Sequence, residues 1–162
     1  MEVGLVMYEE EFQRISQILG RLRVDASAKI VFLVDKNGQQ IAGAGEIEQV
    51  DTTSLASLTA GNVAATDGLA KLIGEKEFSI LFHEGKKDNI HISIVGQRLI
   101  LVVIFDERSS LGLVRLRVRK AAGEIERVLT EMMDKARQQG AEEIASPFAE
   151  ITDEDIDALF SE

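Results

Sequence analysis

The chain has 162 residues, 45% hydrophobic and 28% charged, with a formal net charge of −10 and no cysteine. That length suffices for one domain with a real core and a short appendage, and the missing cysteines exclude a disulfide framework and a thiolate metal site. No run of about 18 apolar residues suggests a membrane span, and the first residues lack the basic-then-apolar pattern of a secretory signal, so cytoplasmic residence without membrane insertion is the simplest expectation.

The charge is unevenly spread. From Gln138 to Glu162 there are eight acids and no Lys or Arg, so this stretch carries −8 and residues 1–137 carry −2. A nucleic-acid-binding surface needs a dominant basic face, and none is expected here.

Tyr8, Phe12, Ile15, Leu19 and Leu22 recur at helical spacing and predict a first helix over about 8–25. The apolar run Lys29–Asp35 is followed by Asn37-Gly38, a dipeptide suited to a type I′ turn, because that turn needs positive φ at both central residues. Two antiparallel strands, about 29–35 and 39–44, follow. A second helix is expected over about 54–73, with Thr52, Thr53 or Ser54 as N-cap and Gly74 at the left-handed C-terminal position.

Alternation of Phe78, Ile80 and Phe82, and then of Ile90, Ile92 and Ile94, predicts two half-buried strands, the second closing on a tight Gly96-Gln97 turn. Leu99–Phe105 is apolar throughout, as a strand covered on both faces should be. Leu111, Val114, Val118, Ala121, Ile125, Val128 and Met132 then predict a last helix over about 110–137, capped by Ser109 or Ser110. The order α-β-β-α-β-β-β-α describes an α+β sandwich: a five-stranded antiparallel sheet with helices on both faces.

The middle helix is unusual. Its periodicity assigns Leu55, Leu58, Ala65, Leu69 and Leu72 to one face, expected to pack on the sheet. Ser57, Ala60, Gly61, Ala64, Gly68 and Lys71 fall on another face, small at its centre. Each interior glycine costs roughly 1 kcal/mol relative to alanine. An alanine-rich surface helix with two tolerated glycines is the plain reading; a stripe cleared for close approach by another helix or a partner is the sharper one.

The stretches "LVMYEEEF", "AKIVFLVDKNGQ", "DTTSLASLTAGNVAAT", "GLAKLIGE", "LVVIFDERSSLGLVRLR" and "SPFAEITDEDIDALFSE" resemble the Roadblock family, small domains related to dynein light chains, over essentially the whole chain. Within that family the resemblance is to bacterial regulators of a Ras-like GTPase of the MglA type, which act in cell polarity and gliding motility. It implies a homodimer with its two middle helices side by side and its sheets joined across the interface. It also implies GTPase activation, with two subunits engaging one GTP-bound GTPase and aligning that partner's own arginine and glutamine. No arginine lies between Ser54 and Gly74, consistent with that scheme. The resemblance places Ala64 and Gly68 under the GTPase; helical spacing extends the surface to Ala60, Gly61 and Lys71. The chain itself would hold no active site and no cofactor, and enrichment at a cell pole would follow.

The last residues form a second unit: 1–137 reads as the domain, and 138–162 as an acidic flexible segment carrying a short amphipathic helix. In "ITDEDIDALF", Thr152 and Asp155 have capping-box spacing, and Ile156, Leu159 and Phe160 share a face, preceded by Phe148. A solubilising tail is one reading; a docking peptide is the other, and the resemblance implies that it binds the GTPase away from the platform and aids nucleotide exchange. Arg14, Lys120 and Arg127 mark a basic face on the first and last helices, either solvated or a docking face for an acidic polarity scaffold protein. His83 and His91 sit on adjacent strands and are placed facing each other, with no third ligand, so no metal site is expected. No G-x-x-x-x-G-K-[ST] pattern occurs. Two other functions compete with activation: a scaffold that binds a GTPase without accelerating hydrolysis, and a small-ligand sensor, which would need a polar-decorated cavity between sheet and helix.

Overall fold

The computed structural model describes residues 9–148, with side chains through Gln138. Helix α1 (Glu9–Asp25) leads into β1 (Ile30–Asp35) and β2 (Gln40–Gly45). A 3₁₀ turn (Ile47–Gln49), absent from the sequence reading, precedes α2 (Thr52–Leu72). Then come β3 (Ile80–Glu84), β4 (Asn89–Val95), β5 (Leu99–Phe105) and α3 (Leu111–Phe148). All neighbouring strands are antiparallel, in the order β2-β1-β5-β4-β3.

The uniformly apolar β5 occupies the middle of the sheet, and all seven of its residues are buried. Its alternate side chains serve two cores. Leu101, Val103 and Phe105 join Val31 and Leu33 beneath α1 and α3, which contribute Ile15, Leu19, Val118 and Ile125. Ile100, Val102 and Ile104 join Ile30 and Phe32 beneath α2. The expected helices on both faces are therefore present, with α1 and α3 sharing the face opposite α2.

Helices α1 and α3 run antiparallel. Lys135 meets Glu10 and Glu11, Arg14 pairs with Glu131, and Arg21 lies 3.6 Å from Glu124, so the start of α1 lies beside the later turns of α3. The α1 stripe holds at Ile15, Leu19 and Leu22, whereas Phe12 is partly exposed and Tyr8 lies outside the described residues. Ser110 caps α3 by accepting from Leu113 N–H. The helix runs past the expected end near 137, through to Phe148.

Two turns exchange their expected chemistry. At the first, Asp35 Oδ1 accepts the N–H groups of Asn37 and Gln39, and only Gly38 takes positive φ (+92°). The pairing register shifts between Leu33 and Val34. The local carboxylate thus replaces the two-residue type I′ turn with a longer, bulged loop. At the second, Gly96 and Gln97 both have positive φ, +60° and +63°, as a type I′ turn requires.

Candidate functional site

The N-cap of α2 is Asp51 rather than Thr52, Thr53 or Ser54. The Asp51 carboxylate accepts from the Ser54 backbone N–H and hydroxyl, and these bonds hold its pKa below the usual carboxylate range. Gly74, with φ +81°, closes the other end as expected.

The orientation of α2 reverses most of the expected packing: of the residues expected on the sheet, Leu55 is partly buried against the core, while Ala65 and three leucines turn outward. Ala56, Thr59, Ala60, Val63 and Ala70 face the sheet. Leu58, Leu69 and Leu72, expected beneath the helix, are 72%, 60% and 83% exposed. The sheet supplies the reason: Ile30, Phe32, Val102 and Ile104 project large side chains toward α2, and alanines let the helix settle onto them. Gly38 in the first hairpin loop fits against the same helix; a Cβ there would lie 3.4 Å from Ser57 Cα.

Of the small-residue stripe, Ser57, Gly61, Ala64, Gly68 and Lys71 are together on the solvent side. Ala60 is not, since it is buried against the sheet, which corrects its placement with that group. A Cβ at Gly61 or Gly68 would meet nothing within 4 Å. The glycines therefore answer to no contact among the described residues. Beside this small flank lies the apolar one, Leu58, Leu69 and Leu72, with Ile73 also exposed. Sequence periodicity grouped these leucines correctly but gave no sign of which face turns inward.

Strand β3 forms one edge of the sheet and exposes Ile80. Asn62 of α2 and His83 of β3 share a hydrogen bond of 3.1 Å, tying that edge to the helix. The two histidines do not face each other: His83 pairs with Ile90 and His91 with Phe82, so they project from opposite faces. His91 is 1% exposed on the α3 side, and neither ring nitrogen has a partner among the described residues. Burial, reinforced by Arg115, pushes its pKa below the usual imidazole value.

The chain matches the Roadblock/LC7 domain over residues 15–105. It belongs to the Roadblock/LC7 family. Among solved structures, Myxococcus xanthus MglB is 62% identical, with a TM-score of 0.75 over 79% of this chain and 96% of that one. The Thermus thermophilus gliding protein MglB is 31% identical, with a TM-score of 0.74 over 81% of this chain and 99% of that one. An MglB with a tetrameric arrangement, also 31% identical, gives 0.74 over 82% and 99%. A search of curated protein sequences finds no match. The chain is thus a Roadblock protein of the MglB type.

Arg14, Lys120 and Arg127 lie on the side of this Roadblock domain opposite α2. Arg14, Arg21, Glu124 and Arg127 surround a groove of about 290 Å³ between α1 and α3, floored by Ile18 and Val128. Lys120 lines the adjoining recess with Arg117 and Asp25. A groove of about 410 Å³ on the other flank of α3 mixes Glu77, Arg98 and Glu126 with Leu129 and Met133 and is open to solvent. Among the described residues, no group of three or more acids and histidines is placed to hold a metal, and no helix is long and apolar enough to cross a membrane. The Phe148 side chain and Ile156, Leu159 and Phe160 lie outside the described residues.

Proposed function

We propose that this chain is an activator of a Ras-like small GTPase of the MglA type, working as a homodimer in cell polarity and gliding motility. The observation that carries this reading is the outward face of α2, where an exposed leucine flank adjoins a flank of small residues. Leu58, Leu69 and Leu72 suit the twin helix of a second copy, because exposed apolar surface of this kind calls for a partner. The free edge of β3 suits sheet extension across the same seam. Gly61, Ala64, Gly68 and Lys71 then remain for the GTP-bound GTPase, one molecule to two subunits, and the glycines let its surface approach the helix backbone.

Activation on this platform is positioning. With no arginine on α2, the helix pair holds the partner's switch regions so that the partner's own groups meet the charge developing on the phosphoryl oxygens. The chain has no active site or cofactor of its own. The acidic segment beyond residue 137, with Phe148, Ile156, Leu159 and Phe160, engages the GTPase away from the platform and aids nucleotide exchange. Arg14, Lys120 and Arg127 receive an acidic polarity scaffold. The protein works in the cytoplasm and is enriched at a cell pole.

Single-turnover GTP hydrolysis by the cognate GTPase, with and without this protein and beside an Ala64→Arg, Gly68→Arg variant, tests the reading. Acceleration that disappears in the folded variant supports it. Binding without acceleration leaves a scaffold; no binding overturns both.

A further inference from the structure

We propose that Asn37 is a site of self-modification: the folded chain slowly converts its side-chain amide to isoaspartate, and Asp35 sets the rate. Of the three asparagines in the chain, only Asn37 precedes a glycine. It is exposed in the loop between β1 and β2, and its side-chain amide has no hydrogen-bond partner among the described residues. Gly38, lacking a Cβ, leaves the approach to its own nitrogen open.

These neighbours define the reaction. The Gly38 amide nitrogen gives its proton to solvent base and attacks Asn37 Cγ. A Cγ–N bond forms and the Cγ–Nδ2 bond breaks, closing a cyclic imide. The Nδ2 group leaves as ammonia, taking a proton back from solvent. Water then opens the imide at either carbonyl and gives aspartate or isoaspartate. Nothing is oxidised or reduced, and only the chain and water take part.

In the folded chain the attacking nitrogen is held. Gly38 N–H donates to the Asp35 carbonyl oxygen over 3.0 Å. Asp35 Oδ1 accepts from Asn37 N–H at 2.9 Å and from Gln39 N–H at 3.0 Å. The loop must release these bonds before Asn37 Cγ can turn onto the Gly38 nitrogen. Openings of surface loops are local and leave the core folded. Asp35 is therefore a positioning residue: it acts on the rate through the loop backbone and does not touch the reacting atoms.

The product bears on α2. A Cβ at Gly38 would already stand 3.4 Å from Ser57 Cα and 3.7 Å from Ala60 Cβ. Isoaspartate adds a backbone carbon immediately before Gly38 and leaves a carboxylate beside it, so the loop loses its seat against the first half of α2. Hydrolysis does not restore the amide, and the change therefore marks the age of a chain beside the helix that carries the small-residue flank.

Ageing the full-length protein at mildly alkaline pH, followed by peptide mapping, tests this. We expect isoaspartate at position 37 in the folded parent, and faster conversion in urea. Asp35→Ala should convert roughly three- to tenfold faster than the parent, the factor that one lost surface hydrogen bond supplies. Asp35→Asn, which keeps the accepting oxygen, should stay near the parent rate. Val118→Ala loosens the core on the other face of the sheet and should leave the rate unchanged. The converted form, separated by its extra negative charge, should show displaced Ser57 and Ala60 amide resonances. A folded parent that stays intact while the urea-unfolded chain converts overturns the proposal. So do an Asp35→Ala rate equal to the parent's, a Val118→Ala rate as fast as that of Asp35→Ala, or unmoved Ser57 and Ala60 resonances.

Discussion

Lys135 Nζ donates to Glu11 Oε1 over 3.0 Å, joining the first turn of α1 to α3 across most of the sequence. Glu11 is almost fully buried, and its Oε2 has no partner among the described residues. The Lys135 hydrogen bond holds the Glu11 carboxyl below the usual glutamate range. A carboxyl depressed in the folded state contributes stability above its unfolded pKa, about 4.3, and loses it as pH falls through the folded value. The Glu11→Gln variant should be less stable than the parent near neutrality, with the gap closing toward acid. Urea midpoints across that range would check this; a gap that widens on acidification would exclude it.

His91 should act in the same direction at higher pH. Its folded pKa lies below the unfolded value, so the unfolded chain takes up a proton first and stability falls as pH drops below about 6.5. The imidazole faces Phe82 across β3–β4 and Val103 on β5, with Arg115 as the charge from α3. A His91→Leu variant should show a flatter stability profile between about pH 7.5 and 5 than the parent. Parallel profiles would remove His91 as the cause.

The interior glycines separate folding from binding. Neither Gly61 nor Gly68 has a neighbour that a Cβ would strike, so each change to alanine should stabilise the domain by about 0.4–1 kcal/mol. The double variant should unfold at higher urea and yet bind the GTPase less tightly. Equal affinity would mean that the open backbone serves no partner.

The exposed leucine flank of α2 and its sheet-facing side should respond differently to substitution. Leu69→Asp with Leu72→Asp leaves the core alone and should yield a folded chain of lower oligomeric state, read by light scattering. Ala56→Leu, at a position 1% exposed against the sheet, should cost about 1–3 kcal/mol through overpacking. A folded leucine-to-aspartate variant with unchanged mass would rule out the leucine flank as the seam.

Element types, order and the two-faced sheet were legible because period and burial coincide: β5 is apolar throughout and covered on both sides, and Val114 to Met132 keep one helical face buried for the whole contact with the sheet. The facing of α2 was not legible, because periodicity groups residues without saying which group turns inward. The bulky sheet residues Phe32 and Ile104 decide that, from elsewhere in the sequence. The histidine geometry failed similarly, since it depends on the register of β3 against β4, and one residue of slip moves a side chain to the other face. Asn37-Gly38 misled because Asp35, outside the dipeptide, captures two of the loop's N–H groups.

The strand order has a consequence for biosynthesis. Strand β1 lies between β2, its immediate successor, and β5, the last strand to be made; Val31 waits for Val103. At roughly 5–20 residues per second of translation, the nascent chain holds the β1–β2 hairpin for seconds with the apolar β1 edge unpaired. The central seam closes only when β5 clears the ribosome, so a ribosome stalled between the two strands would present an adhesive edge, and the molecule depends on an uninterrupted passage through that interval.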